Sequence, residues 1–200
     1  MRPSSINNYA LLAALLFQAP AATVLQAVPP KSFDAWVKAL AAECREEVTR
    51  RIESNLKSGK LTVAQLFDTF YIPLPNTSPQ KFHTQYDRFF DETFQGLLDG
   101  YLARDPRMVY VILADANGYV PTHNSKYSQA LTGNKDYDAK HNRTKLLFND
   151  RTGLAAAKNT APFLLQEYQR DTGETILDLS IPISIRERHW GCIRVGFRKE

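Results

Sequence analysis

At 200 residues, with 44% hydrophobic and 11% aromatic residues, the chain carries enough apolar material for a buried core, which excludes a disordered or fibrous polymer. Its net charge of +4 comes from 25 Lys and Arg interleaved with 21 Asp and Glu, without a basic stripe, and this argues against nucleic acid as a partner. Two cysteines, Cys44 and Cys192, are too few for a disulfide framework and lack zinc-ligand spacing, so both are read as small buried hydrophobes.

Residues 1–30 differ from the rest. Arg2 is the only early charge, Tyr9 to Leu16 is an apolar run, and small residues at Ala19, Ala21, Ala22 and Ala27 offer cleavage positions. This pattern points to a signal peptide and a periplasmic or secreted protein. An uncleaved membrane anchor is the alternative, weakened by Gln18, Pro20 and Gln26 in a segment that needs about 20 apolar residues. A leader left in the cytosol is the third.

A helical region is expected over 31–105. Phe33, Trp36, Val37, Leu40, Cys44, Val48, Ile52 and Leu56 recur every three or four residues, with Ser32 as N-cap and Gly59 as stop. This long helix is either a packing helix or, through its charged flank of Arg45, Glu46, Arg50, Arg51 and Lys57, a homodimerisation helix. A short helix over 62–70 is stopped by Pro73, Pro75 and Pro79, and a second long helix runs from Phe82 to Ala103 with a broad aromatic stripe.

A sheet region follows over 106–200. Met108 to Leu113 reads as a buried strand, and Asn117-Gly118 as a two-residue hairpin turn with both residues at φ > 0, leading into a strand over 118–123. Residues 125–160 hold polar loop material, a short apolar piece Leu146-Leu-Phe148, and a helical turn around Leu154 to Ala157. Three strands complete the chain, at 163–169, 174–185 and 190–197, and Pro182 must lie at an edge or a bulge because it cannot donate to a ladder.

Three separated stretches carry a resemblance. They are Asp115-Ala-Asn-Gly-Tyr-Val-Pro-Thr-His-Asn124, Asn142-Arg-Thr-Lys145, and Phe163 to Ile183 running on to Arg188-His-Trp-Gly-Cys-Ile-Arg194. Across residues 60–197 the chain resembles the PAS-like (Cache-like) sensor region of bacterial methyl-accepting chemotaxis proteins. The resemblance implies an α+β fold: a five-stranded antiparallel sheet with long N-terminal helices and a helical insert covering a ligand pocket. It implies a small-molecule sensor in signal transduction, passing its state to a receptor or kinase partner. Some such domains carry covalent c-type haem, and the lack of Cys-x-x-Cys-His excludes that attachment here. Non-covalent haem through His123 or His189 remains the alternative.

The polar residues at strand ends and in the insert are the expected ligand site: His123, Asn124, Arg143, Tyr168, Arg170, Asp178 and His189. Arg143 suits an anion, because a planar guanidinium holds a carboxylate through two charge-assisted hydrogen bonds. Several have a plainer alternative. Asn124 with Thr122 could satisfy a local turn, Arg170 could pair with Asp171 across a hairpin, and His189 with Trp190 could form a structural corner. The period of two puts Trp190, Cys192 and Arg194 on one face. No histidine pair has helical metal spacing and no nucleophile elbow is present, so no metal site is expected; an enzyme would have to be assembled from His123, Asp178 and His189. The two Asn-x-Ser/Thr matches, at Asn76 and Asn142, are read as chance.

Overall fold

The structure, a computed structural model, describes residues 32–169 and 173–199; the expected leader lies outside the described residues. Helix α1 (Phe33–Ser58) starts where Ser32 Oγ accepts the Ala35 N–H and stops at Gly59, whose φ of 75° is a left-handed value that spares a side chain. Both ends fall where the sequence places them. Helix α2 (Val63–Leu66) is shorter than expected. Asp68 ends it, accepting the Phe70 N–H on one carboxylate oxygen and the Gln85 N–H on the other.

Strands β1 (Ile72–Pro73) and β2 (Phe82–His83) pair with each other, so α3 (Asp87–Leu102) begins later than the expected Phe82. The Phe82 N–H is committed to Lys145 O at 2.9 Å, which holds this residue extended. From α3, Phe90, Phe94, Leu98 and Tyr101 are buried, as the aromatic stripe requires.

Strand β3 (Met108–Asp115) leads through a turn to β4 (Tyr119–Val120). Only Gly118 in that turn has positive φ, so the expected hairpin with two such residues is not formed. Instead Asp115 organises it: its carbonyl accepts the Gly118 N–H, and its carboxylate accepts those of Asn117 and Tyr119. The insert then contains a 3₁₀ turn (Ser125–Tyr127), α4 (Lys135–His141), β5 (Leu146–Leu147) and α5 (Arg151–Lys158). Strands β6 (Leu164–Gln169), β7 (Thr175–Ile185) and β8 (Arg188–Arg198) finish the chain.

The main sheet is antiparallel, in the order β3-β8-β7-β6. It holds four strands among the described residues, where five were expected. The missing member, β4, pairs instead with β5 in the insert, a partner that a two-residue apolar fragment could not announce. Gly118 and Gly153 make this possible: a Cβ on either would approach Phe148 O to 2.4 or 2.2 Å. Pro182 meets its expectation, since the β6 pairing of β7 stops at Ser180 and the register shifts just after Ile183.

That shift also moves Trp190. Ile183 pairs with Gly191 and Ser184 with His189, leaving Trp190 as the extra residue of a bulge. It turns to the opposite face from Cys192 and Arg194, stacks on Phe90 at 5.2 Å and donates its indole N–H to Leu66 O, which corrects the shared face expected from simple alternation. The sheet therefore has two unlike faces. One packs α1 and α3 on Val111, Leu113, Leu177, Leu179, Ile181, Ile193 and Val195. The other carries Tyr110, Ile112, Ile176, Asp178, Ser180, Cys192 and Arg194 beneath the insert. Cys44 and Cys192 are both free and buried, one in each layer, and burial pushes both thiols up to about 12.

Candidate functional site

Between the insert and the second face of the sheet lies a cavity of about 370 Å³, lined by Tyr110, His123, Arg143, Asp150, Tyr168 and Arg194, with Ile112, Phe148, Thr152 and Gln169. Its floor is set by register. Tyr110 of β3 is opposite Gly196 of β8, which is opposite Asp178 of β7. The tyrosine crosses the middle strand to reach the aspartate because Gly196 has no side chain; a Cβ there would come within 2.4 Å of the ring. The Tyr110 hydroxyl donates to Asp178 Oδ1 at 3.2 Å and lies 3.1 Å from that of Tyr168.

Arg194 completes the floor. Its Nη2 and Nε donate to Asp178 Oδ2 at 2.7 and 3.0 Å, and the pair is almost fully buried, with side-chain exposures of 5% and 0%. Such a pair survives burial only with its hydrogen bonds met, as they are here. Burial pulls the guanidinium pKa down, but the charge of Asp178 beside it outweighs this and leaves it well above its ordinary value. Burial, reinforced by the same carboxylate, holds the Tyr110 phenol well above its usual range. Arg194 thus stays charged and the Tyr110 phenol neutral near neutral pH.

The wall comes from the segment after β4. His123 Nδ1 accepts the Asn124 N–H at 2.8 Å, so the neutral ring carries its proton on Nε2. Its ring packs edge-on against Tyr127, with centroids 4.9 Å apart. The roof is the insert. Arg143 lies with its guanidinium 5.6 Å from the Phe148 ring, and Asp150 caps α5 by accepting the Thr152 and Gly153 N–H groups.

Of the residues expected from sequence, His123, Arg143 and Tyr168 line this cavity, and Asp178 lies directly under it. Asn124 does not line it. Its Oδ1 accepts the Val111 N–H at 2.9 Å, which satisfies the outer edge of β3, a strand 13 residues upstream and not the local turn held open for it in the sequence. His189 is a correction: its Nε2 donates to Ala157 O at 2.7 Å and it lies outside the cavity, because the Trp190 bulge redirects the start of β8. Arg170 lies outside the described residues. The combination of His123, Asp178 and His189 is accordingly not assembled, and Asp178 is committed to Arg194 and Tyr110. Tyr110 and Arg194 were readable as polar residues inside otherwise apolar strands; Asp150 and Phe148 had no such signal.

A second polar cluster supports the turn end of the sheet. Asp115 accepts the hydroxyls of Tyr71 and Tyr86 at 2.6 and 2.8 Å in addition to its turn amides, and burial raises its pKa. With every oxygen occupied by donors, it serves as a structural anchor. Among the described residues no group of side chains could hold a metal ion, and no helix is long and apolar enough to cross a membrane.

Neither a protein-family model nor a curated protein matches the chain. Solved structures do. The sensory domain of the Campylobacter jejuni chemoreceptor Tlp3 (CcmL) matches with a TM-score of 0.47 and 12% identity, over 83% of this chain and 53% of that one. The ligand-binding domain of Mlp24 with asparagine gives 0.34 and 17%, over 82% and 58%. That of the Pseudomonas aeruginosa PAO1 amino acid chemoreceptor PctC, in complex with GABA, gives 0.28 and 14%, over 82% and 62%. The first and last of these are domains of chemoreceptors. This chain spans 53 to 62% of their length.

Proposed function

We propose that the chain is a small-molecule-sensing domain of the chemotaxis class, binding an anion-bearing metabolite between sheet and insert and signalling by conformational change rather than catalysis. The observation that carries this is the cavity: aromatic walls, a pre-neutralised Asp178–Arg194 floor, and Arg143 contributed by the roof. In such a site most contact area is apolar and a few convergent polar groups set orientation. Arg143 brings a second guanidinium into the cavity from the roof, where it can hold an anion through charge-assisted hydrogen bonds. Binding would draw the roof toward the sheet, and the roof is tied to α3 through Lys145, whose Nζ reaches Asp91 Oδ2 at 2.6 Å. A receptor or kinase partner would then read the helical layer. A periplasmic or secreted setting fits this role.

A thermal-shift screen of organic acids, amino acids and purines on the full chain tests the reading. A ligand at 100 times its Kd should add about 2.7 kcal/mol of stability. Absence of any stabilising compound, or turnover of one, would reject it. A Soret band in the purified protein would replace it with non-covalent haem sensing.

A further inference from the structure

The segment that carries Arg143, residues 142–148, is held from outside the sheet. The Arg143 N–H donates to Tyr127 O at 2.7 Å. On either side of it, the ammonium of Lys81 donates to Asn142 O at 2.9 Å and to Thr144 O at 2.7 Å. One side chain from just before β2 therefore grips the carbonyls immediately before and after the cavity arginine.

Lys81 is only 3% exposed. A buried ammonium is costly unless its donors are met, and here it faces carbonyl dipoles, with no carboxylate in hydrogen-bond reach among the described residues. Burial lowers its pKa from 10.5 to about 8; the charge of Arg143, and less so that of Lys145, adds to this, and Asp138 on α4 opposes it. The remaining titratable neighbours are already engaged. Lys145 holds Asp91 and Pro121 O, His83 lies 2.8 Å from Asp87, and His141 lies 2.9 Å from Tyr137 O. A lysine kept in so unfavourable a place with only these two carbonyls to hold has one evident role.

Building on the anion-site reading above, we propose that Lys81 is a positioning residue for that site: its ammonium fixes the backbone around Arg143 and so decides where the guanidinium stands in the cavity. Charge-assisted hydrogen bonds are roughly twice as strong as neutral ones, so the grip weakens once the ammonium loses its proton. The guanidinium itself stays charged. Anion affinity should then fall above about pH 8 with no change in the charge of Arg143.

The test needs no ligand, so failure to find one would reject the sensing function and leave this test standing. In the full chain, labelled with ¹³C lysine and arginine, the Lys81 Cε and Arg143 Cζ resonances are followed from neutral to alkaline pH, assigned with Lys81→Met and Arg143→Lys. Both should inflect at one shared midpoint near pH 8. In Lys81→Met the Arg143 inflection should vanish and its resonance broaden at every pH. An Arg143 resonance that stays constant while Lys81 titrates would overturn the proposal. Should Lys81→Met fail to fold, the shared or separate midpoints in the unaltered protein decide alone.

Discussion

The two faces of the sheet solve burial in opposite ways. The face under α1 and α3 is filled by volume: Phe90, Phe94, Leu98 and Trp190 interlock with aliphatic strand residues, and little there depends on direction. The face under the insert is filled by geometry. Its central residues are Asp178, Arg194 and Tyr110, and each must be met by a specific partner at a specific angle. An apolar layer tolerates a changed partner of similar size, whereas a polar layer with one member removed leaves a charge stranded. The apolar layer belongs to the fold and the polar layer to the site.

Asp178→Asn would test that contrast most severely. It leaves Arg194 buried without its counter-charge and should cost about 3–5 kcal/mol in urea unfolding. The pair replacement Asp178→Leu with Arg194→Met should cost much less than the sum of the two single changes, because no charge remains to be stranded. A loss below about 1 kcal/mol for Asp178→Asn would show that the polar layer is not demanding after all. On the apolar face, Phe90→Ala should cost a comparable amount, about 3–5 kcal/mol, while a volume-conserving Leu98→Met should cost under about 1.5 kcal/mol.

Gly196→Ala should have a smaller effect on stability, about 1–3 kcal/mol, because the Tyr110 ring must move off the middle strand. The telling measurement is the Tyr110 environment by aromatic NMR. An unmoved ring would mean that register does not set the floor. Lys81 offers a pH test of the same layer. Its folded pKa, about 8, lies below the unfolded value of 10.5, so between those limits the unfolded chain binds more protons and this residue alone makes stability rise with pH. Relative to Lys81→Met, the slope should reach at most about 1.4 kcal/mol per pH unit. A flat difference would mean that Lys81 does not carry the lowered pKa. Arg143→Ala should cost unliganded stability less than any of these, yet remove most of the stabilisation by any anionic ligand. Equal loss with and without ligand would reassign Arg143 to a structural role.

Much of the scaffold was legible because its signals are local. Ser32 and Gly59 bound α1 through contacts within a few residues, the stripe of α3 repeats with the helical period, and Pro182 announces its own exclusion from a ladder. His123, Arg143 and Tyr168 could be named as polar residues at the ends and in the insert of an apolar scaffold, and all three line the cavity. The sequence alone determined the caps of α1, the apolar stripes, the strands of the main sheet and the sign of the charge that Arg143 brings. Pairing across distance was decided elsewhere. That β4 joins β5, that Trp190 bulges out of phase with Arg194, that His189 leaves the site, and that Lys81 grips the backbone around Arg143 all depend on groups far apart in sequence or on a one-residue slip of register. Periodicity tells which side a residue faces; only the folded chain decides what stands opposite it, because hydrogen-bond partners and close glycine contacts are chosen by three-dimensional fit.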